Sequence, residues 1–179
     1  MLARVVVRRV GPEAAADVLA VVRDAFGARP VLDPPADALS EDLESIARLL
    51  RGRGGLLASI DGVPAGCAVL EPRPDGLMLR RFGVTAAAQG QGVAAALVDA
   101  ARAAAVGREA VVVVAREELP ATIGFWERHG FVETWRSRPY VELALALRTT
   151  FDVPGGCDAR PRRACRPQPR RRRPRGAHG

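Results

Sequence analysis

The sequence contains no lysine; all 27 of its Lys+Arg positions are arginine. That excludes a phosphate loop of the Gly-x-x-x-x-Gly-Lys-Ser/Thr kind, which needs an ammonium to reach the terminal phosphate of a nucleoside triphosphate. Cysteine is scarce: Cys67, Cys157 and Cys165 form no Cys-x-x-Cys pair, so neither a disulfide framework nor a zinc site is expected, and Cys67 reads as a small buried apolar residue. No apolar run approaches the roughly 20 residues that cross a bilayer. The opening stretch, residues 1–9, is too short an apolar run for a secretory signal. A cytoplasmic protein without a membrane partner is therefore expected. Most of the chain also lacks a basic signature. Residues 151–179 hold nine Arg against Asp152 and Asp158, which accounts for the whole formal charge of +7, while residues 1–150 carry 18 Arg against 18 acids. Nucleic acid is thus an expected partner of the tail at most.

What is present is an ordinary globular composition, 179 residues with 48% apolar, enough for one domain with a proper core. Residues 4–10 are β-branched and end at Gly11-Pro12, which predicts a strand followed by a helix to about Phe26 with Val18, Leu19, Val22 and Phe26 on one face. Leu39, Leu43, Ile46 and Leu50 predict a second amphipathic helix, with Glu44 and Arg48 paired on its wet side. Two apolar runs flank Asp61-Gly62, a strong signal for a two-residue hairpin. A second turn at residues 72–76 leads into a third strand, residues 77–84. The alanine-rich stretch from Gly92 to about Ala105 has high helix propensity and a thin face that can sit close to strands. Val111 to Val114 is apolar at every position, the pattern of a strand covered on both faces, and a right-handed crossover makes it parallel to residues 77–84. A helix over 119–129 and strands at 131–136 and 140–147 complete a domain at 1–150. Residues 151–179 lose all periodicity and read as a disordered Arg/Pro-rich tail, since they cannot bury enough apolar surface to offset their ordering entropy.

The stretch the chain is organised around is residues 84–94, Val-Thr-Ala-Ala-Ala-Gln-Gly-Gln-Gly-Val-Ala, which reads as strand end, glycine loop and first helical turn. A helix N-terminus offers unpaired N–H groups and partial positive charge, and so suits an anion. Glycine at 90 and 92 lets a phosphate oxygen approach several amides together. A dinucleotide fingerprint does not fit, because Gly90-x-Gly92 is followed by Val93, Ala94 and Ala95. What remains is Gln89-x-x-Gly92-x-Ala94. Farther on stands Gly124-Phe125-Trp126-Glu127-Arg128-His129-Gly130-Phe131. In order and separation the two segments resemble the pyrophosphate loop and the late helix-to-strand signature of the GNAT superfamily of acyl-CoA-dependent N-acetyltransferases, and the resemblance covers roughly residues 3 to 148.

The resemblance implies an α/β (α+β) domain, a mixed central sheet with a splayed parallel strand pair flanked by helices. It implies acetyl-CoA as co-substrate, no metal, and an amine-bearing small molecule or peptide as acceptor, and it is compatible with a homodimer. It places the pyrophosphate at Gln89, Gly90, Gln91, Gly92, Val93 and Ala94, and the pantetheine arm and a carbonyl-polarising backbone N–H along Phe82, Gly83 and Val84. No catalytic side chain is assigned. The position of the family's frequent tyrosine acid is Trp126, whose indole is a donor but no practical acid. A glutamate base found in some members corresponds to Met78. Glu71, Glu117, Glu118, His129 and Tyr140 remain as groups that can move a proton, but the three glutamates read first as solvated turn residues, His129 as a helix-end residue and Tyr140 as a strand aromatic. Three functions follow as expectations: an acetyl-CoA-dependent N-acetyltransferase, a CoA-binding module impaired in catalysis, and a nucleic-acid-associated protein acting through the tail.

Overall fold

The computed structural model describes residues 4–74 and 76–147, with Arg53 described in its backbone only. The expected tail at 151–179, and with it the domain boundary near residue 150, lies outside the described residues. Strand β1 (Val5–Val10) is followed by a single 3-10 turn at Pro12–Ala14 and helix α1 (Ala15–Gly27). Helix α2 (Leu43–Arg53) precedes β2 (Gly55–Ile60), β3 (Val63–Arg73) and β4 (Gly76–Val84). Helix α3 (Val93–Ala104), β5 (Ala110–Arg116), α4 (Pro120–Arg128), β6 (Val132–Ser137) and β7 (Tyr140–Ala146) complete the described chain.

Among the described residues seven strands form one sheet in the order β1-β2-β3-β4-β5-β7-β6, in which only β4 and β5 run parallel. The β2–β3 hairpin turns as its sequence requires: Asp61 and Gly62 both take positive φ, 48° and 85°, the pairing of a type I′ turn whose twist matches its strands. Each face of the sheet carries its own core. One is built with α1 and α2 around Val18, Val22, Ile46, Leu50, Leu57 and Val69. The other is built with α3 and α4 around Leu70, Leu97, Val98, Val111, Trp126 and Leu143. Helix α3 lies so close to β3 that a Cβ at Gly66 would meet Val93 Cγ1 at 2.7 Å and Leu97 Cδ1 at 3.0 Å. On the opposite face, one at Gly83 would meet Ala25 Cβ at 2.7 Å.

Two expectations are corrected. The second helix does not include Leu39, which lies in a separate 3-10 turn at Asp37–Ser40. Asp42 starts the helix instead, through a reciprocal capping box with Ser45 that satisfies two end donors at once. Leu39 and Leu43 are consequently 49% and 53% exposed, and Ile46 and Leu50 alone of the four reach the core. Nor is β5 covered throughout. Val111, Val112 and Val113 are buried, but Val114 is 46% exposed, because it lies just past the last residue that β4 accompanies.

Candidate functional site

The parallel pair is short. Leu77, Met78 and Leu79 of β4 face Val111, Val112 and Val113 of β5; beyond them both strands continue, to Val84 and Arg116, without pairing. The parting coincides with a β-bulge. Between the pairs Val69↔Arg80 and Cys67↔Gly83, two residues of β4, Arg81 and Phe82, oppose Ala68 of β3. A bulge bends its strand and increases the local twist. Its first residue, Arg81, takes φ +52°, a region bulky side chains seldom enter. The side chain is held there by Glu41, whose carboxylate accepts from Arg81 Nε at 2.8 Å and also from Nη2, in a pair only 15% and 10% exposed. Burial by itself would raise the Glu41 carboxyl, but hydrogen bonds from Ser45 and Arg81 and the charges of Arg81 and Arg80 bring it below the ordinary glutamate range.

Past the bulge, the Thr85 N–H donates to Ala65 O of β3 at 2.9 Å. Strand alternation then turns the N–H and C=O of Val84, and the C=O of Phe82, to the opposite edge, where β5 has already departed. The Phe82 carbonyl on that edge accepts from Arg29 Nη2 at 3.1 Å, a donor from the loop after α1. The gap between β4 and β5 is thus a cleft lined on one side by main-chain groups that a continued parallel ladder would otherwise use.

The glycine loop continues directly from this edge. A 3-10 turn at Ala86–Ala88 is anchored by Asp24, whose carboxylate accepts from Ala86 N at 2.7 Å. The Gln91 side chain closes the loop on itself, donating to Ala87 O at 2.9 Å, whereas Gln89 is exposed. Gly90 and Gly92 have φ of +76° and +81°. Nothing lies within 4 Å of where a Cβ would stand on either, so the space above both is open. Gly92 caps α3 with no side-chain hydrogen bond, which leaves the first-turn amides after it to an outside acceptor. An open, positively polarised cradle of main-chain N–H groups beside a free strand edge fits a diphosphate with an amide-bearing arm.

The proton-moving candidates are not brought together. Met78 is buried and pairs across the strands with Glu71 and Val112. Glu71 itself is bound to Arg80 at 3.1 Å. Glu117 is flanked by Arg138 at 3.1 Å and Arg136 at 3.5 Å. Glu118 is held below the usual carboxylate range by hydrogen bonds from Arg116. His129 Nδ1 lies 2.8 Å from Phe125 O, with its ring against that phenyl. Tyr140 lies under the Arg116 guanidinium. Trp126 does reach the cleft wall: it is 3% exposed and packs edge-on against Phe82 with ring centroids 4.6 Å apart, and against Phe131 at 4.9 Å. Cys67 is buried and its thiol is pushed up to about 12 by desolvation, which makes it inert.

Sequence reasoning passed over three arginines that define the site. Arg81 sets the bulge. Arg116, 8% exposed at the end of β5, donates to the carbonyls of Asp33 and Pro34, both at 2.9 Å, and thereby holds the loop between α1 and α2. Arg29 reaches the cleft edge. The available signal for Arg116 is a charged residue closing an otherwise apolar strand; Arg29 sits in Gly27-Ala28-Arg29-Pro30, which reads only as a helix end.

A family model described as the acetyltransferase (GNAT) family matches residues 19–131. No curated protein matches the sequence significantly. Many solved structures share the fold. An acetyltransferase from Thermus thermophilus superposes with a TM-score of 0.65 at 17% identity, covering 82% of this chain and 99% of its own. PaiA N-acetyltransferase from Thermoplasma acidophilum, in complex with coenzyme A, gives 0.67 at 11% identity, with 80% and 99% covered. The ribosomal-protein-S18-alanine N-acetyltransferase from Escherichia coli gives 0.65 at 16%, with 83% and 97% covered. At such identities the structural likeness speaks for the fold, but the family match spans more than half the sequence and includes both the glycine loop and the late aromatic signature. The chain belongs to the acetyltransferase (GNAT) family.

Proposed function

We propose that the protein is an acetyl-CoA-dependent N-acetyltransferase acting on the amine of a small molecule or peptide. The observation that carries this is the continuity of two main-chain surfaces: the β4 edge at Val84, which β5 does not accompany, runs directly into the glycine loop, where the space above Gly90 and Gly92 is open. In this reading Gly90, Gly92, Val93 and Ala94 hold the pyrophosphate, with Gln89 beside it and Gln91, whose N–H donates to Ala88 O at 3.4 Å, shaping the loop. Val84 pairs with the pantetheine arm, and Phe82 and Gly83, whose main chain is engaged by Arg29 and by β3, line it. When bound, acetyl-CoA supplies the thioester whose acetyl group the amine takes.

The chain's own contribution is then mostly main chain. The donor assigned to the acyl oxygen is the Phe82 N–H at the bulge, which as a preorganised dipole stabilises negative charge developing there. Phe82 and Trp126 pack edge-on at the wall and exclude water. Binding both reactants in one cleft supplies the proximity contribution. The acceptor loses its proton to water or to a distant carboxylate such as Glu71, because Met78 cannot take it. Turnover detected as free thiol across a panel of amines and amino acids tests the proposal, together with calorimetry of CoA binding.

A second reading, a CoA-binding module without turnover, is favoured by one observation: Met78 and Trp126 occupy the positions of the family's base and acid, and Glu71, Glu117 and Glu118 are engaged with arginines. CoA binding without turnover of any amine would select it. A role of the tail in nucleic-acid binding is tested by salt-dependent binding that disappears when residues 151–179 are removed. Within the described residues no helix is long and apolar enough to cross a membrane, and no group of His, Cys, Asp and Glu could hold a metal ion.

A further inference from the structure

Beside the cleft, between the end of α1 and the loop that follows it, lies a pocket walled by Phe26, Val31, Leu32, Pro35 and Leu39, with Arg29 as its one charged side chain. The guanidinium stacks on the Phe26 ring at 3.8 Å and commits one donor to Phe82 O. Arg29 makes no ion pair among the described residues, although Arg73, Arg80, Arg81, Arg116 and Arg136 all do. Burial lowers its pKa with no carboxylate to offset the cost. A guanidinium carries five N–H donors in a fork suited to a carboxylate, so most of that fork remains available. Around it, large apolar side chains are left in solvent: Val31 is 99% exposed and Leu39 49%. A desolvated cation ringed by unburied apolar groups is the complement of an anion that carries a hydrocarbon chain.

Resting on the N-acetyltransferase reading above, we propose that the acceptor is a small amino acid with an apolar side chain, whose carboxylate pairs with Arg29 while its amine faces the thioester carbon, the oxygen of which the Phe82 N–H polarises. The spacing suits this. Arg29 binds the carbonyl of the same residue whose N–H would polarise the thioester, so cation and reacting centre are separated by one residue and one hydrogen bond, the scale of an amine and a carboxylate on the same or adjacent carbons. The apolar wall takes the side chain. A peptide N-terminus, which has no carboxylate at that distance, leaves Arg29 unpaired.

Binding can be tested apart from turnover. With CoA-saturated full-length protein, calorimetry compares N-acetylleucine with N-isoamylacetamide, the same molecule without its carboxylate. The carboxylate should strengthen binding by about tenfold or more, the usual worth of a charge-assisted pair, and Arg29→Gln should abolish that difference while leaving the Tm within about 2 °C. Arg29→Lys, which keeps the charge and loses the fork, should retain part of it. Equal affinity for the two ligands, or an unchanged preference in Arg29→Gln, overturns the proposal. Turnover is the separate arm. Leucine acetylated much faster than isoamylamine supports both readings; discrimination in binding without turnover of any amine keeps the amino-acid site and removes the enzyme; faster turnover of isoamylamine or of a peptide than of leucine removes the amino-acid site and keeps the enzyme.

Discussion

Replacing Glu41 by Gln removes the counter-charge of Arg81 while preserving shape and one acceptor oxygen. The pair is only 15% and 10% exposed, and stripping one partner from a buried pair costs about 3–5 kcal/mol when the remaining charge has nowhere to go. Here the residual exposure and the retained amide oxygen reduce that to about 2–3 kcal/mol. For a chain of this size 1 kcal/mol moves Tm by roughly 2–4 °C, so Glu41→Gln should lower Tm by about 5–10 °C in thermal unfolding followed by circular dichroism at pH 7. The pH dependence provides a second reading. The Glu41 carboxyl is depressed in the folded state, so its contribution is fully present above the ordinary glutamate range and fades as pH falls through the depressed value. The wild type should therefore lose its advantage over Glu41→Gln on acidification. Removing both charges, in Glu41→Gln/Arg81→Gln, should recover part of the loss, since no orphaned ion is left. A Tm within 1 °C of wild type for the single variant, or a gap that does not close at low pH, would refute the view that this pair pins the bulge.

Gly92→Glu, at φ +81°, puts a carboxylate and a strained backbone where the pyrophosphate is proposed to lie; CoA affinity by calorimetry should fall at least tenfold in a folded protein, and unchanged affinity would move the site elsewhere. If no side chain acts as base, kcat/KM should climb with pH toward the pKa of each acceptor amine, and Trp126→Tyr should not reduce it; profiles for two amines of different basicity that share one pKa near 7 would reveal an enzyme base. Leu97→Ala, at a fully buried site, should cost about 2–5 kcal/mol, read from denaturant unfolding. Removing residues 151–179 should leave Tm and CoA affinity unchanged, and a large drop in either would contradict the disordered-tail expectation.

Most of the framework was legible because its signals are local. Asp61-Gly62 dictates its turn by backbone conformation alone, and the alanine run of α3 dictates a helix. The glycine loop was legible as a loop for the same reason, since Gly90 and Gly92 mark the positive φ they adopt. The start of α2 is less legible, because periodic leucines continue upstream of the Asp42–Ser45 cap; in the folded chain the cap decides. What stayed hidden is non-local. Arg81 reaches Glu41 across 40 residues of sequence and Arg116 reaches Asp33 across 83. No periodicity announces such contacts, and in a chain where all basic residues are arginine, a structural or site arginine looks like any surface one.

The two arginine contacts to the loop between α1 and α2 have a mechanical consequence. Arg116 belongs to one lip of the gap, β5, and grips that loop at Asp33 and Pro34. Arg29 belongs to the loop and grips the other lip, β4, at Phe82. With only three rungs of parallel ladder joining β4 to β5, the loop works as a strap buckled to both halves of the sheet. Any acceptor that draws Arg29 toward itself slackens one buckle, and any arm that wedges into the gap tightens it. In the proposed acetyl transfer, acceptor choice and cofactor seating would therefore share one mechanical element, and a substitution in this loop should register at both ends of that reaction.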